Sequence, residues 1–347
     1  MVYNPNSTAD LELALNETRS LWQEASGAHF FITGGTGFFG CWMLETLLHA
    51  NRSLGLGISA TVVTRDPRRF EQKAPHLFNA AGIHIVPGDM RDLSIIPGRF
   101  DFALHLATET DPGLGQVEPK ILFESNLDGT RQFLALVRRS GVRKFLFTSS
   151  GAVYGPQPTD LPLLEESHAF APDTMNPLSA YGESKRASEL LCALEGDGSQ
   201  GVEGKIARCF TFVGPYLPLF GNYAIGNFIR DALSGGPLRI AGDGTPLRSY
   251  LYGADLAAWL WTLLFRGRAA QAYNVGSEDS LSILELAQAV RDVIRPQAEI
   301  LVSQAPQKGA KALRYIPSTH KARVDLGLSP KVGLRDAIHR TAEWHRC

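Results

Sequence analysis

Short apolar runs alternate with amphipathic stretches along the first 210 residues of the chain. The apolar runs predict strands, and between them apolar residues recur at helical spacing, as Phe39, Met43 and Leu47 do. Strands that alternate with helices indicate a parallel sheet with helices on both faces, and right-handed crossovers make that arrangement doubly wound. The predicted strands are His29–Thr33, Ala60–Thr64, Ile83–Val86, Phe102–Leu106, Lys144–Ser149 and Lys205–Cys209.

A glycine-rich turn, 33–40, joins the first predicted strand to the first predicted helix. Gly34 permits a tight turn, Gly37 lets the backbone approach a pyrophosphate, and Gly40 lets the helix pack close to the strand. Free backbone N–H groups at the start of the helix favour phosphate groups. The pattern is therefore a dinucleotide-binding fingerprint of the Rossmann type. The residues expected at the cofactor are Gly34, Thr36, Gly37, Phe38, Phe39 and Gly40.

The pattern changes on either side of this α/β unit. Apolar positions over 10–25 predict an added N-terminal helix, with Leu11, Leu15 and Trp22 on one face. Beyond about Gly155, Pro/Gly loops and short apolar segments predict a smaller C-terminal α/β substrate lobe. We expect a helical extension (1–27), a dinucleotide-binding domain (28–210 with 250–277) and a substrate-binding lobe (211–249 with 278–347).

Composition and charge exclude some classes of function. Apolar residues make up 44% of the chain and charged residues 20%, and the formal net charge of −1 favours neither nucleic acid nor an anionic membrane surface as partner. No apolar run reaches transmembrane length, and residues 1–10 lack the features of a secretory signal. The cysteines lie far apart without metal-ligand spacing, so we expect reduced thiols, no metal site and a cytoplasmic location. They are Cys41, Cys192, Cys209 and Cys347.

Two segments carry side chains suited to proton transfer. Tyr181 and Lys185 are four residues apart and share a helix face. An ammonium group favours the phenolate, so the pair could serve as a general acid–base, although this spacing also arises often by chance. Ser150 follows an apolar strand, at the crevice where open α/β sheets bind ligands, and is expected to bond a substrate oxygen. The alternative is a serine-rich turn that satisfies its own backbone.

Four motifs occur in the order seen in extended short-chain dehydrogenases/reductases: Thr33–Gly40, Gly88–Asp92, Ser149–Gly155 and Tyr181–Lys185. The branch that this chain resembles is the NAD-dependent nucleotide-sugar epimerase/dehydratase family, over nearly its whole length. The resemblance implies a nucleotide-diphosphate sugar as substrate and a bound nicotinamide dinucleotide. It also implies catalytic roles for Ser150, Tyr181 and Lys185.

The same resemblance implies further cofactor contacts. Asp89 is expected to meet the adenine amino group, and Asn126 to support the active-site backbone. Besides the glycine turn, the residues expected at the cofactor are Arg65, Asp66, Asp89, Met90, Leu106, Ala107, Thr108, Asn126, Thr148, Tyr181 and Lys185.

Substrate contacts are implied as well. The segment 208–215 looks like the one that meets the sugar diphosphate, although the family usually has Asn where this chain has Thr211. Arg248 resembles an arginine that holds the diphosphate, a role that suits its planar fork of donors. The expected substrate-binding residues are Glu109, Ser150, Thr211, Asn227, Arg248 and Arg314, and Lys308 and Lys311 are further candidates for a phosphate.

The two positions after Ser150 bear on the reaction. Sugar 4,6-dehydratases of this family carry Asp-Glu there, and related decarboxylases tend to keep the Glu. This chain has Gly151 and Ala152, which cannot transfer a proton. An epimerase, most simply one acting at C4, needs only one tyrosine and a hydride acceptor, so epimerisation is favoured. Dehydration stays an alternative because the Glu109 carboxylate could reach the crevice. A 4-keto sugar reductase is a third alternative. A non-catalytic dinucleotide-sensing protein is the alternative from another class, favoured if the three catalytic candidates lie apart in space.

The end of the second strand gives mixed indications of the cofactor. Asp66 can accept from both ribose hydroxyls and favours NAD, whereas Arg65, with Arg68 and Arg69, attracts the 2′-phosphate of NADP. If the Asp66 side chain turns outward at the Asp-Pro turn, the Arg65 side chain determines which dinucleotide binds. A redox-neutral epimerase usually keeps NAD⁺, so the prediction is a nicotinamide dinucleotide with a slight preference for NAD.

We also expect a homodimer. In related enzymes, the helices that correspond to 120–140 and 180–194 pair across a two-fold axis. Apolar residues on the first of these helices can supply the surface, although some must cover the sheet. They are Leu127, Phe133, Leu134, Leu136 and Val137.

Overall fold

A single parallel sheet of seven strands forms the centre of the protein. The computed structural model describes residues 5–109, 118–221, 223–307 and 309–346. The strands of the sheet are β1 (His29–Thr33), β2 (Ser59–Thr64), β3 (Ile83–Pro87), β4 (Phe102–His105), β5 (Lys144–Ser150), β6 (Glu203–Cys209) and β11 (Gln271–Val275). Their order is β3–β2–β1–β4–β5–β6–β11, so strands are added on one side of β1 and then on the other, and a crevice opens between the carboxyl ends of β1 and β4.

The first six strands agree with the predicted ones to within two residues. The seventh, β11, was not predicted as a strand, because Asn274 interrupts its apolar run. Asn274 is fully buried, and its amide donates to the carbonyls of Leu164 and Ser318 at 2.8 and 3.1 Å. A polar residue can occupy this buried strand because the fold supplies both acceptors.

Helices cover both faces of the sheet, which confirms the doubly wound α/β class. On one face, Phe30 and Ile32 of β1 join a core that includes Met43; on the other, Phe31 joins a core with Phe133. The helices are α1 (Pro5–Thr18), α2 (Phe38–Leu54), α3 (Pro67–Lys73), α4 (Pro75–Phe78), α5 (Pro119–Ser140), α6 (Ala180–Glu195), α7 (Ala224–Leu233), α8 (Gly253–Arg266), α9 (Ile283–Ile294), α10 (His320–Leu326) and α11 (Leu334–Arg346).

Small sheets from the second half of the chain lie beside the main one. Two are pairs of parallel strands: β7 (Phe212–Val213) with β10 (Leu251–Tyr252), and β8 (Leu238–Ile240) with β13 (Ile300–Val302). In the third, β9 (Leu247–Ser249) lies between antiparallel β12 (Ser280–Ser282) and parallel β14 (Arg314–Tyr315). The predicted segments 238–241 and 300–303 are thus strands that pair with each other. The boundaries of the two domains stay a prediction.

The N-terminal helix begins before the predicted range 10–25 and changes form within it. α1 runs from Pro5 to Thr18, and the chain continues as a 3₁₀ helix, Arg19–Ala25. The Thr18 hydroxyl donates to the carbonyl of Ala14 at 2.7 Å and accepts from Trp22 Nε1 at 3.0 Å. Trp22 then packs against Trp261 of α8, with ring centroids 4.8 Å apart. This contact attaches the N-terminal segment to a helix that follows it by more than 200 residues.

Candidate active site

The glycine turn has the form that a dinucleotide requires. Gly34 has a positive φ of +71°, and a Cβ there would lie 2.4 Å from the backbone nitrogen of Ala107. A Cβ on Gly40 would lie 2.3 Å from the carbonyl oxygen of Gly34. At Gly37, which precedes α2, only that oxygen lies within 4 Å of a built Cβ, so the space in front of the turn is open. The first N–H groups of α2 therefore form a cradle that fits a pyrophosphate.

The residues at the end of β2 face different ways. Asp66 caps α3, because its Oδ1 accepts from the backbone nitrogen of Arg69 at 2.9 Å. Arg65 Nη1 donates to Glu109 Oε2 at 3.3 Å, and the Arg65 side chain is 70% exposed. Glu109, predicted to bind substrate, thus contacts a residue at the end of β2.

Asp89 and Met90, which follow β3, have separate partners. Two guanidinium nitrogens of Arg91 donate to the Asp89 carboxylate, each at 2.9 Å. These hydrogen bonds hold the pKa of Asp89 below its ordinary value, and the nearby charge of Arg65 acts in the same direction. Met90 packs against α5, where a Cβ on Gly129 would lie 2.9 Å from its side chain.

Asn126 of α5 holds the backbone that follows β4. Its Oδ1 accepts from Thr108 Oγ1 at 3.0 Å and from the Glu109 nitrogen at 2.8 Å. Its Nδ2 donates to the Glu109 carbonyl at 3.2 Å and to Ser184 Oγ at 3.3 Å. The side chain therefore joins the cofactor side of the crevice, which includes Leu106 and Ala107, to α6.

Ser150, Tyr181 and Lys185 lie together at the crevice. Ser150 Oγ accepts from the Ala152 nitrogen at 3.1 Å, and the hydroxyls of Ser150 and Thr108 lie near the Tyr181 phenol. Burial raises the pKa of Tyr181 to about 12, and the neighbouring Ser150 hydroxyl opposes that rise. Lys185 Nζ donates to the Thr148 carbonyl at 2.8 Å, and burial lowers the pKa of Lys185 to about 8. Because the three meet, the dinucleotide-sensing alternative loses its support.

An uncharged polar network lies below this group. Thr33 Oγ1 is 2.7 Å from His105 Nδ1, and Thr130 Oγ1 is 3.4 Å from His105 Nε2 and 2.9 Å from Ser188 Oγ. Burial lowers the pKa of His105 to about 3, so its ring is neutral at physiological pH. The network connects β1, β4 and α5 to α6 without burying a charge. The sequence signal that could have revealed it is a histidine at the end of an apolar strand.

A charged network lies on the other side of Ser150. Arg208 Nη2 is 2.7 Å from Glu189 Oε2, and Ser149 Oγ donates to Glu189 Oε1 at 2.5 Å. Arg208 Nη1 also donates to the Tyr154 hydroxyl at 2.9 Å, which donates to Asn274 Oδ1 at 2.8 Å. Arg208, in the segment expected to meet the sugar diphosphate, instead forms this ion pair beneath the crevice.

Tyr315 belongs to the same site, and the sequence reasoning missed it. Its hydroxyl lies 3.5 Å from Ser150 Oγ, and its ring packs on Phe210 with centroids 4.7 Å apart. A Cβ on Gly151 would lie 2.6 Å from the Tyr315 hydroxyl and 2.8 Å from the Phe210 ring. Tyr315 thus occupies the space into which a longer side chain at position 151 would project. No local motif signals this residue, since β14 is only two residues long.

Of the other predicted substrate residues, two lie at or next to Tyr315 and two bond to backbone carbonyls. The Arg248 guanidinium lies 5.8 Å from the centre of the Tyr315 ring, and Arg314 precedes Tyr315 in β14. The Asn227 amide, in the first turn of α7, donates to the Gly221 carbonyl before that helix at 2.8 Å, and Thr211 Oγ1 donates to the Ser249 carbonyl. Lys311 is exposed, and Lys308 lies outside the described residues.

The arrangement of the described residues bears on metal binding and on membrane insertion. Among these residues, no group of three His, Cys, Asp or Glu side chains is placed to hold a metal ion. No described helix is both long and apolar enough to cross a membrane. Cys41, Cys192 and Cys209 are buried free thiols, and Cys347 lies outside the described part of the chain.

Residues 30–276 match the model of the NAD dependent epimerase/dehydratase family. The chain belongs to this family. This confirms the resemblance read from the motifs and makes the protein a member of a family of nicotinamide-dinucleotide enzymes. The glycine turn and the Ser150, Tyr181 and Lys185 group lie within the matched range, whereas Tyr315 lies beyond it.

Relatives in the family differ in their reactions. UDP-glucuronic acid decarboxylase 1 of Arabidopsis thaliana is 30% identical over 312 residues, which cover 89% of this chain and 68% of that protein. A dTDP-glucose 4,6-dehydratase double mutant from Streptomyces venezuelae, solved with NAD bound, has a TM-score of 0.77 and 26% identity, covering 91% of this chain and 96% of that one. A UDP-galactose 4-epimerase has a TM-score of 0.70 and 26% identity, covering 92% and 98%. The family is therefore established, but the relatives named here catalyse different reactions.

Proposed function

We propose that the protein is a nucleotide-sugar epimerase that acts at C4 through a transient 4-keto sugar. The observation that carries this proposal is the surroundings of Ser150. Its hydroxyl lies near the Tyr181 phenol, while Gly151 and Ala152 supply no acid or base and the Tyr315 hydroxyl fills the space before Gly151. Dehydration needs a second proton-transfer pair, whereas epimerisation needs one acid–base group.

The side chains have separate tasks in this reaction. Tyr181 takes the proton from the C4 hydroxyl, and Ser150 donates to the same oxygen to hold it in place. A nicotinamide dinucleotide held at the glycine turn would supply the hydride-accepting and hydride-donating chemistry. Lys185, held on the Thr148 carbonyl, keeps a positive charge below the crevice, which favours the phenolate form of Tyr181. The proton returns from Tyr181 to the oxygen after the sugar has turned its other face.

The substrate class rests on the relatives and on two arginines. The named relatives act on UDP- or dTDP-sugars, which supports a nucleotide-diphosphate sugar for this chain. The Arg248 guanidinium lies 5.8 Å from the centre of the Tyr315 ring, and Arg314 is the residue before Tyr315 in β14. Guanidinium groups there suit a diphosphate, because they offer paired charge-assisted donors.

A second candidate is a 4-keto sugar reductase. The observation that favours it is the exposed Arg65 at the end of β2, since such reductases consume NADPH. For the epimerase, we propose NAD as the slightly preferred cofactor, and NAD is the cofactor bound in the solved dehydratase. Asp66, on which that preference rested, is engaged as a helix cap.

The test is incubation of the purified full chain with a panel of UDP- and dTDP-sugars, with products identified by NMR. The expected product is the C4 epimer, without net change in the dinucleotide. A 4-keto-6-deoxy product would make the protein a dehydratase. Stoichiometric consumption of NADPH with a 4-keto sugar would make it a reductase.

We further propose a homodimer formed through α5 and α6. The structure corrects which residues can supply the surface: Phe133, Leu134, Leu136 and Val137 lie in the core rather than outside. The exposed apolar side chains of the two helices are Ile121, Leu190 and Leu194, exposed by 44%, 62% and 70%. Leu190 and Leu194 share one helix face.

Charged side chains on that face should separate the subunits. We expect sedimentation of the native chain to show a dimer at micromolar concentration, and the Leu190→Glu/Leu194→Glu variant to be monomeric. Met175→Glu, which also replaces an exposed apolar residue but lies outside both helices, is the control. A native chain that sediments only as a monomer would contradict the proposal.

A further inference from the structure

A tyrosine with an unusual backbone conformation lies in the segment 214–217, which follows β7. Tyr216 has a φ of +70°, in a region that residues other than glycine rarely adopt. Its side chain is buried, so contacts with the surrounding structure can hold the backbone in this conformation. Strained backbone of this kind is concentrated at functional sites, which makes Tyr216 a candidate for a role beyond packing.

The hydroxyl of Tyr216 bonds to the helix whose first turn forms the pyrophosphate cradle. It donates to Glu45 Oε1 of α2, and His76 Nε2 of α4 lies 2.7 Å from the same oxygen. One turn earlier on α2, Trp42 Nε1 donates to the Pro215 carbonyl at 3.0 Å. Two side chains of α2 thus hold two neighbouring residues of this segment.

The other side of the segment packs on helices from later in the chain. The ring centroid of Tyr216 lies 4.7 Å from that of Trp344 in α11. Two residues further along, the Pro218 carbonyl lies against α7, because a Cβ on Gly226 would come within 2.7 Å of its oxygen. The segment is therefore fixed between the cofactor helix α2 and the helices α7 and α11.

The residues just before this segment belong to the reaction centre. Phe210, which follows β6, packs on Tyr315, and its ring lies 2.8 Å from a Cβ built on Gly151. Thr211 Oγ1 donates to the carbonyl of the residue after Arg248. Residues that follow the carboxyl end of a parallel strand lie where open α/β sheets bind their ligands. The segment continues directly from these residues, so its position affects how the crevice receives a sugar nucleotide.

We propose that Tyr216 is a positioning residue for the sugar nucleotide: by bonding the 214–217 segment to α2, it fixes the sugar side of the crevice relative to the cofactor cradle. The proposal rests on the nucleotide-sugar substrate proposed above. Tyr216 acts through the segment and not on the reacting atoms. Its loss should therefore weaken binding of a nucleoside diphosphate and leave binding of the dinucleotide unchanged.

Tyr216→Phe removes the hydroxyl and keeps the ring on Trp344. In calorimetric titrations of the full chain saturated with NAD⁺, we expect the affinity for UDP or dTDP, whichever the native chain binds, to fall roughly tenfold. The affinity for NAD⁺ should stay within about twofold of the native value.

Tyr273→Phe is the matched control, because it also removes a phenol that donates to a carboxylate, that of Asp325. It should leave both affinities unchanged. An unchanged nucleoside diphosphate affinity in Tyr216→Phe, or an equal loss in Tyr273→Phe, would overturn the proposal.

Glu45 allows a test by conservative replacement. Glu45→Gln keeps an oxygen that can accept from the Tyr216 hydroxyl, so it should retain most of the nucleoside diphosphate affinity, whereas Glu45→Ala should lose as much as Tyr216→Phe. The double variant Tyr216→Phe/Glu45→Ala should lose no more than either single variant, since both remove the same bond. Additive losses would show that the two groups act separately, contrary to the proposal.

Amide hydrogen exchange without any nucleotide separates this proposal from the proposed reaction. The Leu217 nitrogen donates to the Gly214 carbonyl at 3.2 Å, and its exchange should be roughly tenfold faster in Tyr216→Phe than in the native chain. Unchanged exchange would show that the hydroxyl does not hold the segment. A native chain that binds neither UDP nor dTDP would instead contradict the proposed substrate class, whatever the exchange result.

Discussion

The two sides of the crevice each contribute one phenol, and they are built differently. Tyr181 lies on the sixteen-residue helix α6, next to the parallel sheet, and belongs to a motif with Lys185. Tyr315 lies on the two-residue strand β14 and reaches Ser150 across 165 positions of sequence. The position of Tyr181 follows from local helical periodicity, whereas Tyr315 reaches the site only because segments distant in sequence pair.

Their supports differ in the same way. α6 is held from below by the neutral His105 network and by the pair of Glu189 with Arg208. β14 is held by pairing with β9 and by Gln157, whose Oε1 accepts from the Ile316 nitrogen at 2.9 Å. We therefore expect a side chain on α6 to be essential for chemistry, and Tyr315 on β14 to adjust it.

Removing the phenol of α6 should have the largest effect. Tyr181→Phe removes the proposed acid–base group, so turnover should fall by about 10²-fold or more while the fold persists. Steady-state assays with the substrate found by the panel, together with thermal unfolding, check both points. Near-normal turnover would refute the role of Tyr181.

The neutral network predicts a pH dependence of stability. Burial lowers the pKa of His105 to about 3, below its ordinary 6.5. Between these values the unfolded state binds the proton and the native state does not, so stability falls as pH falls from 6.5 toward 3. The contribution lost between pH 6.5 and pH 5 is about 2 kcal/mol.

His105→Asn is the variant that isolates this contribution. Asparagine keeps a polar group near Thr33 but does not titrate in this range. Denaturant unfolding at several pH values should give the variant a shallower fall in stability than the native protein. Equal slopes in the two proteins would mean that His105 does not contribute.

The smallest effect is expected on the side of β14. Tyr315→Phe removes one hydroxyl near Ser150, and a single neutral hydrogen bond is worth about 1 kcal/mol, so turnover should fall roughly 5- to 10-fold. Tyr273→Phe is the control, because it removes a hydroxyl that bonds Asp325 on the far edge of the sheet.

Gly151→Ala provides a coupled test of the same contact. The added Cβ should displace the Tyr315 hydroxyl, so it should cost turnover in the native protein and less in the Tyr315→Phe background. Full additivity of the two substitutions would show that Tyr315 does not act at Ser150.

One prediction failed for an identifiable physical reason. The apolar residues of α5 were expected at a dimer surface, but Phe133 and Leu136 face the sheet because that side of the helix covers β1 and β5. The residue type was suitable for either role, and neighbours distant in sequence decided. The expected contact of Glu109 with the substrate stays a prediction, although its backbone bonds Asn126 and its carboxylate bonds Arg65.

The sequence by itself determined the doubly wound sheet, the glycine turn and the Tyr181–Lys185 pair, because these depend on spacings within one strand, turn or helix. Only the tertiary structure decided that Asp66 caps α3 while Arg65 stays exposed, because the sequence does not indicate where each of two neighbouring side chains at a strand end points. It also decided that Tyr315 fills the space before Gly151. That contact joins two chain segments through strand pairing and ring packing, which no local pattern encodes.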